Sequence, residues 1–218
     1  MGFGVDIMAE YGNLTLDQYR DALASNSPTP GGGTASAVAL SQGAALSIMV
    51  CNLTEGKERW KEGWSSAEDC RTIAEPLLEL GHKLAEDDAR AFDLVMDSYK
   101  LPKNTDSEKK VRKSSIQNNT LGAAMVPMQT ARAAYLLLES LPALATYGNS
   151  NAVTDVGVAS LLVSAACKGA LFNVEINLLS LPDNDEVTKL KTELADIRNQ
   201  CRDTARKVMR AVHDRIHS

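Results

Sequence analysis

The sequence predicts an all-α protein, a bundle of about five to seven helices built around two central apolar ones. Three observations carry this. Aromatic residues make up only 5% of a chain that is 44% hydrophobic and dominated by alanine and leucine, and helices favour those residues where strands prefer β-branched and aromatic ones. Apolar residues recur every three or four positions over long stretches. No stretch alternates apolar with polar as a half-buried strand does, and no short repeat recurs. The 218 residues read as one helical domain, 1–218.

Taken in order, Thr15 is placed to cap a short helix through Leu16, Tyr19 and Leu23. The segment SNSPTPGGGTAS follows, where Pro28 and Pro30 stop a helix and Gly31 to Gly33 permit tight backbone geometry. From there to Thr54 the chain is small and apolar, which reads as a buried central helix rather than a membrane span. Residues 65–99 form a long amphipathic pattern with Ile73, Leu77, Leu80, Leu84, Phe92 and Val95 in its stripe, kinked or divided at Pro76. The turn LPKNTDSE offers Thr105, Asp106 or Ser107 as the next cap. The helix after it extends to about Leu141 with a kink at Pro127, and Pro142 to Asn151 read as a break. A second apolar helix spans about Thr154–Leu181, Pro182 and Asp183 end it, and a charged amphipathic helix continues from Asp185. Two apolar helices exceed what one shell of amphipathic ones covers, so the chain is expected to form a homodimer.

The net charge of −5 comes without a basic stripe, which excludes nucleic acid as an expected partner. The opening MGFGVDIMAEYGNLT lacks the basic start and apolar core of a leader, and Asp6 stands where a myristoylation motif needs Ser or Thr. Cys51, Cys70, Cys167 and Cys201 form no CxxC pair and read as reduced packing residues, consistent with a cytoplasmic location and no membrane association. His213 and His217 are four apart but lack a third ligand, so no metal site is expected.

Four features bear on function. PGGG lacks the Lys of a phosphate loop and follows no strand. It opens either a flexible entry to a buried helix or a helix N-terminus facing a polar ligand. Asp88, in AEDDARAF, lies one turn before Phe92 on the face expected to turn inward, and an inward carboxylate needs a partner or a task. Asp155 at the start of the second apolar helix either stabilises the helix dipole or serves chemistry. Asn173 and Asn177, four apart in an apolar helix, either cross-link helices or form a polar wall for a heterocycle.

Together SPTPGGGTASAVALSQGAALSIMVCNLTEGK, DDARAFDLVMDSYKLPKNT, MVPMQTA and GNSNAVTDVGVASLLVSAACKGALFNVEINLLSLPD resemble the formiminotetrahydrofolate cyclodeaminase / methenyltetrahydrofolate cyclohydrolase family, from about Leu14 to the last helix. Thr34 and Thr154 depart mildly, standing where the family more usually has serine. The resemblance implies an all-helical dimer with sites near the subunit interface and a tetrahydrofolate derivative as substrate, with no metal or redox cofactor. Hydrolysis of methenyltetrahydrofolate to formyltetrahydrofolate is the favoured reaction, cyclodeamination of formiminotetrahydrofolate the alternative. A non-catalytic folate-binding or scaffold bundle is the competing class. Either reaction passes through a tetrahedral centre that a carboxylate pair could serve. The resemblance casts Asp88 and Asp155 as that pair, with Asp155 favoured as base. Asn173 and Asn177 would orient the pterin or water, Gly31, Gly32 and Gly33 would let the substrate approach the backbone, and Lys57 and Lys103 would meet the glutamate tail.

Overall fold

A computed structural model describes residues 11–217. The reading of residues 1–10 as neither leader nor lipidation site lies outside the described residues. Among the latter there is no strand, and six α-helices account for the fold: α1 Leu16–Leu23, α2 Gly32–Thr54, α3 Trp64–Lys100, α4 Asp106–Tyr147, α5 Val153–Leu179 and α6 Asp185–Ile216. The expected number and order of helices are therefore found. Thr15 and Thr105 each close a capping box, with Gln18 and Glu108 returning the bond to the cap backbone.

α2 and α5 lie side by side and antiparallel at the centre. The start of α2 meets the end of α5, where Gly169 leaves room for the Ser36 side chain. Midway, Gly43 faces Val163. At the far end Asn149, just before α5, donates to the Leu53 carbonyl at 2.8 Å. Alanine, serine and glycine at these contacts allow close backbone approach, which is why both helices lack an amphipathic pattern. α3 and α4 pack around them and α6 covers α4 and α5. The core runs from Leu40 and Val50 through Met128, Leu137 and Leu141 to Val163 and Leu171. α2 and the α5 segment are long and apolar enough to cross a membrane by length and composition, and just over half of each is buried in the bundle.

Two expectations need correction. Pro142 does not break the chain: α4 continues through it to Tyr147. A proline forfeits one backbone bond, and buried Leu138, Leu141, Leu144 and Ala145 hold that turn in place. Of the two readings at Pro76, division of the helix is ruled out, and Pro127 lies within α4 as expected. Phe92, expected in the core, is 36% exposed, and Leu94, Met96 and Tyr99 beyond it are exposed too. The reason is geometric: α2 begins level with Asp88, so the last three turns of α3 have no central helix to pack against.

The four cysteines are free and buried, as expected. They form two facing pairs, Cys51 with Cys70 between α2 and α3, and Cys167 with Cys201 between α5 and α6. His213 and His217 stack edge to face at 4.4 Å. Among the described residues no group of three potential ligands could hold a metal.

Candidate active site

The start of α2 is where the polar groups converge. Gly31 is its cap residue and offers no side-chain acceptor, and Gly32 and Gly33 form its first turn. One N–H of that turn, that of Thr34, is met from another helix. Asp88 of α3 accepts from the Thr34 hydroxyl at 3.3 Å and from the Thr34 backbone N–H. A β-carbon on Gly33 would lie 2.2 Å from Asp88 Oδ1 and 2.5 Å from Oδ2, so only glycine admits the carboxylate there. Burial pushes the Asp88 pKa above the usual carboxylate range, against the opposing pull of the two Thr34 bonds.

Asn173 stands on the other side of this turn, with its amide nitrogen 3.7 Å from where a Gly32 β-carbon would sit. That nitrogen donates to the Gly169 carbonyl at 2.9 Å. Asn177, one turn on, donates to the Asn173 carbonyl at 2.9 Å and across to the Ala123 carbonyl of α4 at 3.0 Å. The cross-linking reading of this pair is realised at Asn177, which ties α5 to α4. Their side-chain amide oxygens accept no hydrogen bond from the described residues and remain acceptors for a ligand.

Two residues unforeseen in the sequence complete the wall. Tyr11 packs over Leu84 and Ala85, edge to face with Tyr19. Its phenol is in hydrogen-bond contact with Thr29, and burial followed by the charges of Asp93 and Asp88 raises its pKa. Gly12 lies against the His82 ring, fixing this N-terminal segment across α3 beside the carboxylate.

Gly31, Gly32, Gly33, Asp88, Asn173 and Asn177 are therefore gathered at one end of the bundle. Asp155 is not among them. It opens α5 at the opposite end, eighteen residues before Asn173 and so about 27 Å along the axis. Lys57 follows α2 at that same far end. Lys103 sits between α3 and α4, above the site, in a cleft with Lys109, Arg112 and Lys113.

The half-buried carboxylate and the two amide oxygens can accept hydrogen bonds from a flat polar ligand, and the backbone turn without β-carbons lets that ligand approach its N–H groups. The formiminotransferase-cyclodeaminase family profile matches residues 15–196. A methenyltetrahydrofolate cyclohydrolase of Methylorubrum extorquens is 40% identical over 172 residues, 79% of this chain and 83% of the relative. A formimidoyltransferase-cyclodeaminase of Gallus gallus is 35% identical over 84% of this chain, which spans only 33% of that longer relative. Among solved structures, a formiminotetrahydrofolate cyclodeaminase of Thermotoga maritima superposes with a TM-score of 0.83 at 29% identity, covering 94% of this chain and 98% of its own.

Proposed function

The chain belongs to the formiminotransferase-cyclodeaminase family, and from that membership we propose that it hydrolyses methenyltetrahydrofolate to formyltetrahydrofolate. The single observation that carries the reading is Asp88, a half-buried carboxylate held against the open first turn of α2. The methenyl bridge is a carbon shared by two nitrogens and bearing delocalised positive charge. A carboxylate beside it stabilises the cation and takes a proton from the incoming water as the C–O bond forms. The resulting carbinolamine opens when one C–N bond breaks: its nitrogen keeps the electron pair and takes up the proton held by Asp88, while the carbinol hydroxyl loses its proton to water as the formyl C=O forms on the other nitrogen. Asn173 and Asn177 orient the pterin through their amide oxygens, and Tyr11 covers the site.

Asp155 can act on the same substrate only from a second chain. A homodimer supplies it. α5 presents an exposed apolar stripe of Val158, Leu161, Phe172, Ile176 and Leu179, more surface than a monomer leaves in water at a central helix. Two copies of α5 packed antiparallel about a two-fold axis near Ser164, midway between positions 155 and 173, would set each Asp155 beside the other chain's Asn173. A soluble cytoplasmic homodimer without metal or membrane partner fits these features and the reduced cysteines.

Cyclodeamination of formiminotetrahydrofolate is the second reading, favoured by the Thermotoga maritima neighbour. It uses the same carbon and carboxylate but expels ammonia. Parallel spectrophotometric assays separate the two. Accelerated loss of methenyl absorbance supports the hydrolase, growth of that absorbance from the formimino compound supports the deaminase, and silence in both leaves only a binding role.

A further inference from the structure

Residues 11–30 precede α2, and the two ends of this segment meet near Asp88. The Tyr11 phenol is in hydrogen-bond contact with Thr29 and close enough to Asp88 to feel its charge. Pro30 and Gly31 lead straight into the first turn of α2. Tyr11 lies over Leu84 and Ala85, one turn before Asp88 on α3.

Between these ends the segment is held loosely. α1 buries none of its residues, and Leu16 is 84% exposed. Its hydrogen-bonded and ion-paired side chains find their partners inside the segment: Thr15 with Gln18, Arg20 with Asp17 and Asp21, and Ser25 with Ser27. Attachment to the bundle rests chiefly on the Tyr11 ring, on Gly12 against the His82 ring, and on Tyr19 edge to face with Tyr11 at 6.3 Å. The Tyr19 hydroxyl is enclosed yet meets no hydrogen-bond partner among the described residues. An enclosed donor without an acceptor weakens the arrangement that encloses it. A segment with few buried contacts and only local hydrogen bonds opens independently of the packed core.

We propose that residues 11–29 form a strap that swings about Gly31, lifts Tyr11 to admit the folate and closes it over the bound ring; this rests on the folate reading above. Closure keeps bulk water from the cationic bridge while Asp88 holds the water that reacts.

A disulfide can hold the strap shut. A β-carbon on Gly12 would lie 3.5 Å from the His82 β-carbon, and a disulfide spans β-carbons about 3.5–4.5 Å apart. The double variant Gly12→Cys, His82→Cys, oxidised with glutathione disulfide, should lose about tenfold or more in kcat/KM for methenyltetrahydrofolate and regain it on reduction. The four native cysteines are buried, so the wild type treated alike should keep its activity. Hydrogen exchange gives a second readout. In the free wild type the amides of Leu16–Leu23 should exchange much faster than those of α2, and methenyltetrahydrofolate should slow them. Undiminished turnover in the oxidised double variant, or α1 exchange that the folate leaves unaltered, would overturn the proposal. Absence of turnover by the wild type on every folate would instead overturn the reaction. In that case, or if the double variant is inactive even when reduced, exchange decides: slowing of the Leu16–Leu23 amides by the disulfide upholds the moving strap, and unaltered exchange sinks it.

Discussion

Replacing Gly33 by alanine isolates the central contact of the site. The added β-carbon would sit 2.2 Å from Asp88 Oδ1, whereas an ordinary contact begins near 3.4 Å. The carboxylate must retreat by more than 1 Å. Its side chain can turn away, and alanine favours helix over glycine by up to about 1 kcal/mol, so stability should stay within about 1 kcal/mol of wild type. Catalysis has no such latitude. A misplacement of about 1 Å costs roughly a hundredfold, so kcat/KM for methenyltetrahydrofolate should fall by about that factor. Gly122→Ala in α4 is the control: a β-carbon there meets nothing within 4 Å, and activity should change little. The assay is initial-rate loss of methenyl absorbance, with thermal unfolding in parallel. Wild-type kcat/KM in Gly33→Ala would refute the placement of Asp88 as the working base, and a collapse of Tm in the same variant would show that the contact serves folding instead.

Other outcomes follow from the same geometry. The Asp88 pKa is raised by burial, so the carboxyl favours the fold below its unfolded-state value of about 3.9 and opposes it as pH rises through the folded value. Asp88→Asn should accordingly melt higher than wild type at pH 7, with the difference vanishing near pH 4, while the acid limb of the wild-type rate lies above the ordinary carboxylate range; equal melting at both pH values would contradict this. Phe172→Glu places a charge on a side chain that is 67% exposed in the single chain. A two-fold interface meets that charge twice, so light scattering should read a monomer where the wild type reads a dimer, and an unchanged mass would remove α5 from the interface. If Asp155 works across that interface, mixing and refolding Asp88→Asn with Asp155→Asn should restore about a quarter of wild-type activity. Half the dimers are then mixed and each of those holds one intact site. No recovery would place Asp155 outside the reaction.

The helices were legible because period, caps and punctuation agreed. Thr105 with Glu108 announces the start of α4 as plainly as Pro182 marks the end of α5. Pro142 misled because a proline reports the backbone bond it loses, not the buried leucines that hold the turn against that loss. Half of the candidate site was visible for one reason: Gly33, Asp88, Asn173 and Asn177 each lack what their apolar surroundings predict, either a β-carbon or an apolar side chain. Phe92 misled because periodicity tells which residues share a face, not where the neighbouring helix begins. Asp155 and Lys57 fell at the other end because two antiparallel helices of similar composition give no sign of which termini meet. The placement of Tyr11 depends on a contact between distant segments, and no spacing rule reports it.

The most direct measurement is methenyltetrahydrofolate hydrolysis by the wild type and Asp88→Asn side by side, at one pH, with thermal unfolding of both. The wild type should accelerate hydrolysis clearly, and the variant, which still folds, should lose about a hundredfold or more. No acceleration by the wild type, or full activity in a folded Asp88→Asn, would contradict it.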